Sequence, residues 1–200
     1  MLFRSGYGGQ IGDTSFNVTG SIFKTDGFSS INYNQWAAAN AAAVRRGNGP
    51  NPGDNPYENK NVSGQIRHKF TSDWDAGFSA YYSKSDLSYD STSGKPTDDF
   101  RMNSELYTLS AFVNGKVTST WTTHFKLSQS EDRSEGTKNG LFDSLFSTRN
   151  RQFNWQNEYA LTPDHKLLFG TDWLQQTLAS SSYNARSEEH TSELQSRGLI

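Results

Sequence analysis

The sequence predicts an all-β protein built on an antiparallel sheet of about eight strands, and three observations lead to this prediction. Apolar and polar residues alternate with a period of two along most of the chain, as in strands with two different faces. Turns containing Gly, Pro, Asn and Asp separate these segments. The connections also alternate between short and long. Together these features indicate a sheet with two unlike faces and two unlike ends.

The alternation is clearest in the segment that begins at Trp74. Trp74, Phe78 and Tyr82 fall on one face, whereas Asp75 and Ser79 fall on the other. Similar alternation predicts the remaining strands from segments of about ten residues. These segments are SFNVTGSIF, NVSGQIRHKF, LYTLSAFVNGK, TWTTHFKLS and QFNWQNEYAL.

The connections divide into two classes. Short turns are predicted at Gly12–Thr14, at Thr71–Asp73, near Asn114-Gly115 and at Thr162–His165. Long polar loops are predicted over residues 26–59, 87–103, 131–148 and from 180 onward, and the alanines of Trp36–Arg46 predict a short helix in the first of them. Outer-membrane barrels have short turns at one end and long extracellular loops at the other. The loop asymmetry therefore favours an antiparallel transmembrane β-barrel over the alternative, a soluble antiparallel sandwich.

Composition supports two environments within one fold. Only 32% of the residues are hydrophobic, below the roughly 45–50% usual for globular domains. Aromatic residues nevertheless make up 14%, which argues against disorder. A thin apolar belt around a polar interior accounts for both values. Aromatic side chains near the strand ends would form interfacial girdles at Tyr7, Phe23, Trp74, Tyr82, Trp121, Tyr159 and Trp173.

Several function classes have no support in the sequence. The net charge is −2 and the pI about 6.1, so no basic excess indicates nucleic-acid binding. The chain has no cysteine, no run of 18 apolar residues and no GxSxG nucleophile motif. Its four histidines are scattered without metal-ligand spacing. We therefore expect a protein that is not an enzyme.

Four segments carry a resemblance to a known family. They are GDTSFNVTGSIFKTDGF, DNPYENKNVSGQIRHKFTSDW, AGFSAYYSKSDLSYDSTSGKPTDDF and NRQFNWQNEYALTPDHKLLFGTDWLQQT. Over roughly residues 2–184 the chain resembles the barrel of TonB-dependent outer-membrane receptors, and within that family it is most similar to the cobalamin (vitamin B-twelve) transporters.

The resemblance implies a 22-stranded barrel in the bacterial outer membrane, with an N-terminal plug through which the TonB complex supplies energy. The chain, residues 1–185, would then be a fragment of about eight strands without the plug. Its expected partners are outer-membrane lipid and a scarce small-molecule ligand, most simply cobalamin. A ferric-siderophore receptor fragment and a small complete outer-membrane barrel are the alternatives.

The same resemblance implies calcium in two extracellular loops. Residue by residue, Asp54 and Asn55 match an acidic cluster in the first loop, and Tyr89 and Asp90 match a Tyr-Asp pair in the second. A later aspartate of the family matches either of two neighbouring residues, Asp98 or Asp99. Calcium prefers six to eight oxygen ligands, which such loops supply. The first loop here has fewer carboxylates than the family pattern, and Asp and Asn are also ordinary loop residues.

The last part of the chain differs from the rest in composition. RSEEHTSELQS, Arg186 to Ser196, has three glutamates and no aromatic residue. It equals the in-frame translation of a common sequencing-library adapter over eleven codons, and we interpret residues 186–200 as an adapter-derived or readthrough tail rather than a domain. The alternative is a charged tail with some helical propensity.

Overall fold

The computed structural model describes residues 1–181 in full and residues 184–198 as backbone. Nine strands form one sheet in the order β1 to β9, and every neighbouring pair is antiparallel. This confirms the predicted all-β antiparallel fold. The elements are β1 Leu2–Ile11, β2 Thr14–Thr25, α1 Tyr33–Ala39, α2 Ala41–Arg45, β3 Tyr57–Lys69, β4 Trp74–Tyr89, β5 Phe100–Thr118, β6 Trp121–Lys138, β7 Leu141–Ala160, β8 His165–Ser180 and β9 Asn184–Gly198.

The register aligns apolar residues into continuous rows on one face of the sheet. Because side chains alternate between faces, the residues directly opposite each other on successive strands share a face. One apolar row crosses from β2 to β8 without interruption. Its members are Phe16, Ile66, Phe78, Ala111, Leu127, Phe153 and Trp173.

The next row, one residue along each strand, lies on the opposite face and is polar from β2 to β7. Within this row the hydroxyl oxygens of Ser79 and Ser110, on neighbouring strands, lie 2.8 Å apart. Arg67 donates two hydrogen bonds of 2.8 Å to Asp75 on this face. The members of the polar row are Asn17, Gln65, Ser79, Ser110, Ser128 and Gln152.

The apolar face is uncovered. No aliphatic or aromatic side chain of the strands β1 to β8 is buried, and Leu127 is 59% exposed. A sandwich would cover this face with a second sheet, but the described strands form a single layer. An uncovered apolar face of this size is typical of a surface that contacts a membrane or another protein. Neither of the two helices in the described part of the chain is long and apolar enough to cross a membrane.

The predicted turn near Asn114-Gly115 is wrong. Both residues lie inside β5, which continues to Thr118 before turning into β6. Gly115 stands opposite Trp74, and a Cβ atom at Gly115 would lie 2.2 Å from the Trp74 ring. The glycine therefore makes room for an aromatic side chain on the apolar face and does not form a turn.

The predicted long loop over residues 131–148 is also wrong. β6 and β7 run to a two-residue turn, in which Asn139 and Gly140 have φ values of 53° and 77°. Positive φ at both positions is the geometry of a type I′ hairpin turn, for which Asn-Gly is the preferred sequence. The segment looks like a loop in sequence because the end of β6 is polar on both faces, and because the apolar residues at the start of β7 come in the adjacent pairs Leu141-Phe142 and Leu145-Phe146, which do not alternate with a period of two.

The other two long loops are shorter than predicted. The first spans residues 26–56 and the second spans residues 90–99. The predicted helix of the first loop is present as two short helices, α1 and α2, which are separated at Asn40. Asn32 caps α1 by accepting a hydrogen bond of 3.1 Å from the backbone nitrogen of Gln35.

The tail follows β8 as a ninth strand rather than a helix. The backbone of β9 pairs with β8 from Ala179 to His165. Pairing to an edge strand needs only backbone groups, so it does not depend on the tail sequence. Alternate residues of β9 lack the apolar pattern that marks one face of the preceding strands. The origin of residues 186–200 stays a prediction; residues 182, 183, 199 and 200, and the side chains of 184–198, lie outside the described part.

Candidate functional site at the long-loop end

The first loop (residues 26–56), the second loop (residues 90–99) and the β6–β7 turn (Asn139-Gly140) lie at the same end of the sheet. Antiparallel order places every second connection at this end. Three junctions hold these segments together. We call the whole arrangement the loop assembly.

The first junction is centred on Asp90. Its Oδ2 atom accepts hydrogen bonds from Ser29 Oγ at 2.9 Å, from the Ser30 backbone nitrogen at 3.2 Å and from Asn55 Nδ2 at 2.9 Å. The first loop is therefore fastened at both of its ends to one carboxylate of the second loop. The Asp90 Oδ1 atom is buried and has no hydrogen-bond partner in the described residues.

The second junction joins the middle of the two loops. The Gly49 nitrogen donates a hydrogen bond of 2.8 Å to the Gly94 carbonyl oxygen. Pro50 is fully buried. A Cβ atom at Gly49 would lie 3.2 Å from the Trp36 ring and 3.4 Å from Pro96, so the backbone is packed closely between α1 and the second loop.

The third junction is centred on Asp98, which is only 7% exposed. Its carboxylate accepts hydrogen bonds of 2.8 Å from the Lys95 backbone nitrogen and 2.9 Å from Asn139 Nδ2. The Lys138 ammonium lies 3.0 Å from its Oδ2 atom. Its backbone oxygen accepts a further bond of 3.2 Å from Asn51 Nδ2. This residue therefore links all three segments.

The surroundings of Asp98 favour its charged form. The hydrogen bond from the Lys95 backbone nitrogen, then those from Asn139 and Lys138, hold the pKa of Asp98 well below its ordinary value of 3.8. A lowered pKa in the folded state means that the carboxylate stabilises the loops fully above pH 3.8. That contribution is lost only as the pH falls below this value.

We predict that the loop assembly of the full-length protein is equally resistant to protease at pH 5 and pH 7. Replacing Asp98 with asparagine should raise the cleavage rate of the second loop several-fold at both pH values, because charge-assisted hydrogen bonds are lost. Limited proteolysis with intact-mass detection measures this. Asp99→Asn is the matched control, since Asp99 is exposed and pairs with Arg101 at 2.9 Å. Equal effects of the two substitutions would contradict the role of Asp98.

The structure does not bring the six predicted calcium ligands together at one place. Asn55 and Asp90 are in direct contact at the first junction. Tyr89 ends β4, and its ring lies 5.7 Å from that of Phe100. Asp54 is exposed. Asp98 belongs to the third junction and is next to Asp99, whose carboxylate pairs with Arg101.

Sequence reasoning did not identify the partners of these aspartates. No sequence pattern indicated that Ser30, Lys138 or Asn139 would contact an aspartate. Asn139 does belong to an Asn-Gly dipeptide, which is typical of a hairpin turn. No group of three or more His, Cys, Asp or Glu side chains converges within the part of the chain that the structure describes. A cation at the first junction would thus depend on one carboxylate together with amide, hydroxyl and carbonyl oxygens.

Comparison with known proteins shows weak sequence similarity to two transporters. The chain is 24% identical over 139 residues to the vitamin B12 transporter BtuB of Photobacterium profundum, covering 68% of this chain and 22% of that protein. It is 25% identical over 146 residues to the vitamin B12 transporter BtuB of Vibrio vulnificus, covering 71% and 23%. The chain thus spans less than a quarter of either relative. No family model matches the sequence.

Comparison of structures shows the fold. The crystal structure of BauA, the ferric preacinetobactin receptor of Acinetobacter baumannii, matches with a TM-score of 0.68 and 11% identity, over 96% of this chain and 36% of that one. FpvA of P. aeruginosa, bound to heterologous pyoverdines, matches with a TM-score of 0.61 and 12% identity, over 93% and 31%. The relatives are transporters and receptors, not enzymes. The sequence and fold similarities together support the TonB-dependent receptor family, in which this sheet matches a run of barrel strands.

Proposed function

We propose that the chain forms part of the barrel wall of a TonB-dependent active transporter in the bacterial outer membrane. The observation that carries the proposal is the single-layer sheet, whose uncovered apolar rows lie below a cross-linked loop assembly. The apolar rows would face lipid, and the polar rows would face the barrel interior. Energy would come from the TonB complex acting through a plug region.

Cobalamin is the ligand that we propose. The support is the sequence similarity to two vitamin B12 transporters, which covers about two thirds of the chain. A ferric siderophore is the second candidate, favoured by the fold similarity to a ferric preacinetobactin receptor and to pyoverdine-bound FpvA. In both cases the loop assembly would help to bind the ligand at the extracellular side.

The test uses the full-length receptor that contains this segment. Purified receptor is titrated with cyanocobalamin and, separately, with a panel of ferric siderophores, and uptake is measured in cells with and without a functional TonB complex. Saturable cobalamin binding and TonB-dependent uptake are expected. Siderophore binding alone would select the second ligand, and uptake that does not need TonB would contradict the proposed transport mechanism.

Calcium binding at the first junction is part of the proposal. The Asp90 Oδ1 atom, buried and without a hydrogen-bond partner among the described residues, is available to a cation, and Asn55 contacts the other oxygen of the same carboxylate through its amide nitrogen. The third junction fits a cation less well, because Lys138 and Arg101 already neutralise Asp98 and Asp99. The proposed site would therefore use Asp90 and Asn55 with neighbouring oxygens.

Terbium luminescence and limited proteolysis test the calcium proposal on the full-length receptor. Calcium should displace terbium and slow cleavage of the first loop, and Asp90→Asn should abolish both effects. Asp54→Asn is the matched control, because this carboxylate is exposed and we expect it to contribute weakly. Unchanged protease sensitivity on adding calcium to the wild-type receptor would contradict the proposal.

A further inference from the structure

Two arginines follow one another on the apolar face of β7, between the apolar row and the loop assembly. Arg149 and Arg151 share this face with Phe153, since the three residues are spaced by two along the strand. Arg151 stands opposite Gln129 of β6 and Gln175 of β8. Phe153, a member of the apolar row, is the next residue on this face in the direction away from the loop assembly. The two arginines therefore lie at the upper boundary of the apolar face.

The two arginines differ in whether a carboxylate of the described residues pairs with them. Arg149 donates hydrogen bonds of 3.0 and 2.8 Å to Glu131 Oε2. Glu131 also accepts bonds from Tyr107 at 3.2 Å and from Ser147 at 3.1 Å, so its carboxylate is fully engaged. Glu131 therefore neutralises Arg149 and not Arg151.

Arg151 has no acidic partner within the described residues. Its Nε atom donates a hydrogen bond of 3.1 Å to the neutral Gln129 Oε1, and Gln129 in turn donates to the Tyr107 hydroxyl at 2.8 Å. This chain of bonds holds the Arg151 side chain on the apolar face. The two terminal nitrogens of its guanidinium make no hydrogen bond in that part of the chain. An oriented, uncompensated guanidinium is well suited to bind an anion with two oxygens.

An apolar groove leads away from Arg151 along the same face. The groove is lined by Phe78, Leu109, Leu127 and Trp173, and Arg151 is also part of its lining. On the other side of Arg151, a polar depression is lined by Arg149, Arg151, Gln175 and Thr177. An apolar groove that borders a cationic side chain offers contacts for both the acyl chain and the phosphate of one phosphorylated lipid molecule.

We propose that Arg149 and Arg151 bind the phosphate group of an anionic membrane lipid, whose acyl chain occupies the groove between Phe78 and Trp173. This inference rests on the proposed membrane placement and extends it to a specific lipid site. Charged side chains at a membrane boundary are stabilised by anionic headgroups, whereas the same charge deeper in the apolar row would be costly. Arg151 supplies the uncompensated charge, and Arg149 supplies a second donor group.

The test uses the full-length receptor in neutral detergent, titrated with diphosphoryl lipid A and followed by native mass spectrometry. Arg151→Gln should lower the affinity by about tenfold, the usual effect of losing a charge-assisted hydrogen-bonded pair. Arg133→Gln is the matched control, because Arg133 lies on the same face but already pairs with Glu135 at 3.0 Å. Its affinity should stay within about twofold of wild type.

Four outcomes separate the possibilities. Equal losses for Arg151→Gln and Arg133→Gln would overturn the site in favour of diffuse electrostatic attraction. Competition by millimolar inorganic phosphate, without any preference for the lipid, would overturn the lipid as the occupant. Arg151→Lys keeps the charge without the planar fork and should lose less affinity than Arg151→Gln; an equal or greater loss would also count against the site. If the receptor inserts and takes up its ligand while lipid binding is unchanged by Arg151→Gln, this inference fails and the proposed function does not.

Discussion

Replacing Leu127 with lysine is expected to destabilise the full-length receptor in a bilayer by about 2–4 kcal/mol, the cost of a lysine in the middle of a lipid-facing strand. Leu127 lies in the middle of the apolar row and is 59% exposed in the sheet. Its side chain is largely uncovered in the described sheet, so in the proposed barrel wall the introduced ammonium would lie in hydrocarbon. The effect should be among the largest that a single substitution in this chain can cause.

Ser128→Lys is the matched control for Leu127→Lys. Ser128 is the next residue of β6 and lies in the polar row, where it stands opposite Ser110 and Gln152. A lysine there would face the polar side, and we expect a change of roughly 0–1 kcal/mol because its charge can remain hydrated. Urea unfolding from lipid vesicles, followed by heat-modifiable mobility, measures both. Equal destabilisation would show that the two faces are not lipid and interior.

Replacing Asp90 with alanine is expected to release the first loop from the second. The Asp90 carboxylate accepts hydrogen bonds from Ser29, Ser30 and Asn55, and these groups would lose their common acceptor. Hydrogen bonds to a charged group contribute about 1.5–3 kcal/mol, so opening of the first loop should become at least about tenfold more favourable. Hydrogen exchange of the amides in residues 26–56 measures the opening.

Asp54→Ala serves as the control for Asp90→Ala in the same loop region. Asp54 is exposed, and its carboxylate forms no hydrogen bond within the described residues. Exchange rates in the first loop should therefore stay close to those of the wild type. If Asp90→Ala leaves exchange unchanged in calcium-free buffer, the first junction does not hold the loop, and the binding site would need another means of ordering.

The two faces of the sheet were predictable residue by residue. The alternation that placed Trp74, Phe78 and Tyr82 on one face holds in the structure, and the same parity continues across the neighbouring strands. This works because the side-chain period of a strand is a local property of the backbone. The short turns at residues 12–13, 70–73 and 161–164 were also recognisable from local turn chemistry.

The strand ends at the loop assembly were not predictable in the same way. Beyond the apolar row, β6 is polar on both faces and the apolar residues at the start of β7 come in adjacent pairs, so a period of two no longer distinguishes strand from loop over residues 131–148. Gly115 was mistaken for a turn residue, because its close approach to Trp74 depends on a residue of another strand. Both errors occurred where the deciding contact lies outside the local segment.

By itself, the sequence determined the strand class, the two faces and the helical nature of residues 36–46, because these depend on spacing along the chain. Only the tertiary structure decided which loop residues meet. Ser29 and Asp90 are 61 residues apart, and they come into contact because the register of β2, β3 and β4 brings their loops to the same end. Within the described residues no carboxylate pairs with Arg151, and the net charge of −2 did not reveal this, since it depends on which carboxylate each arginine can reach.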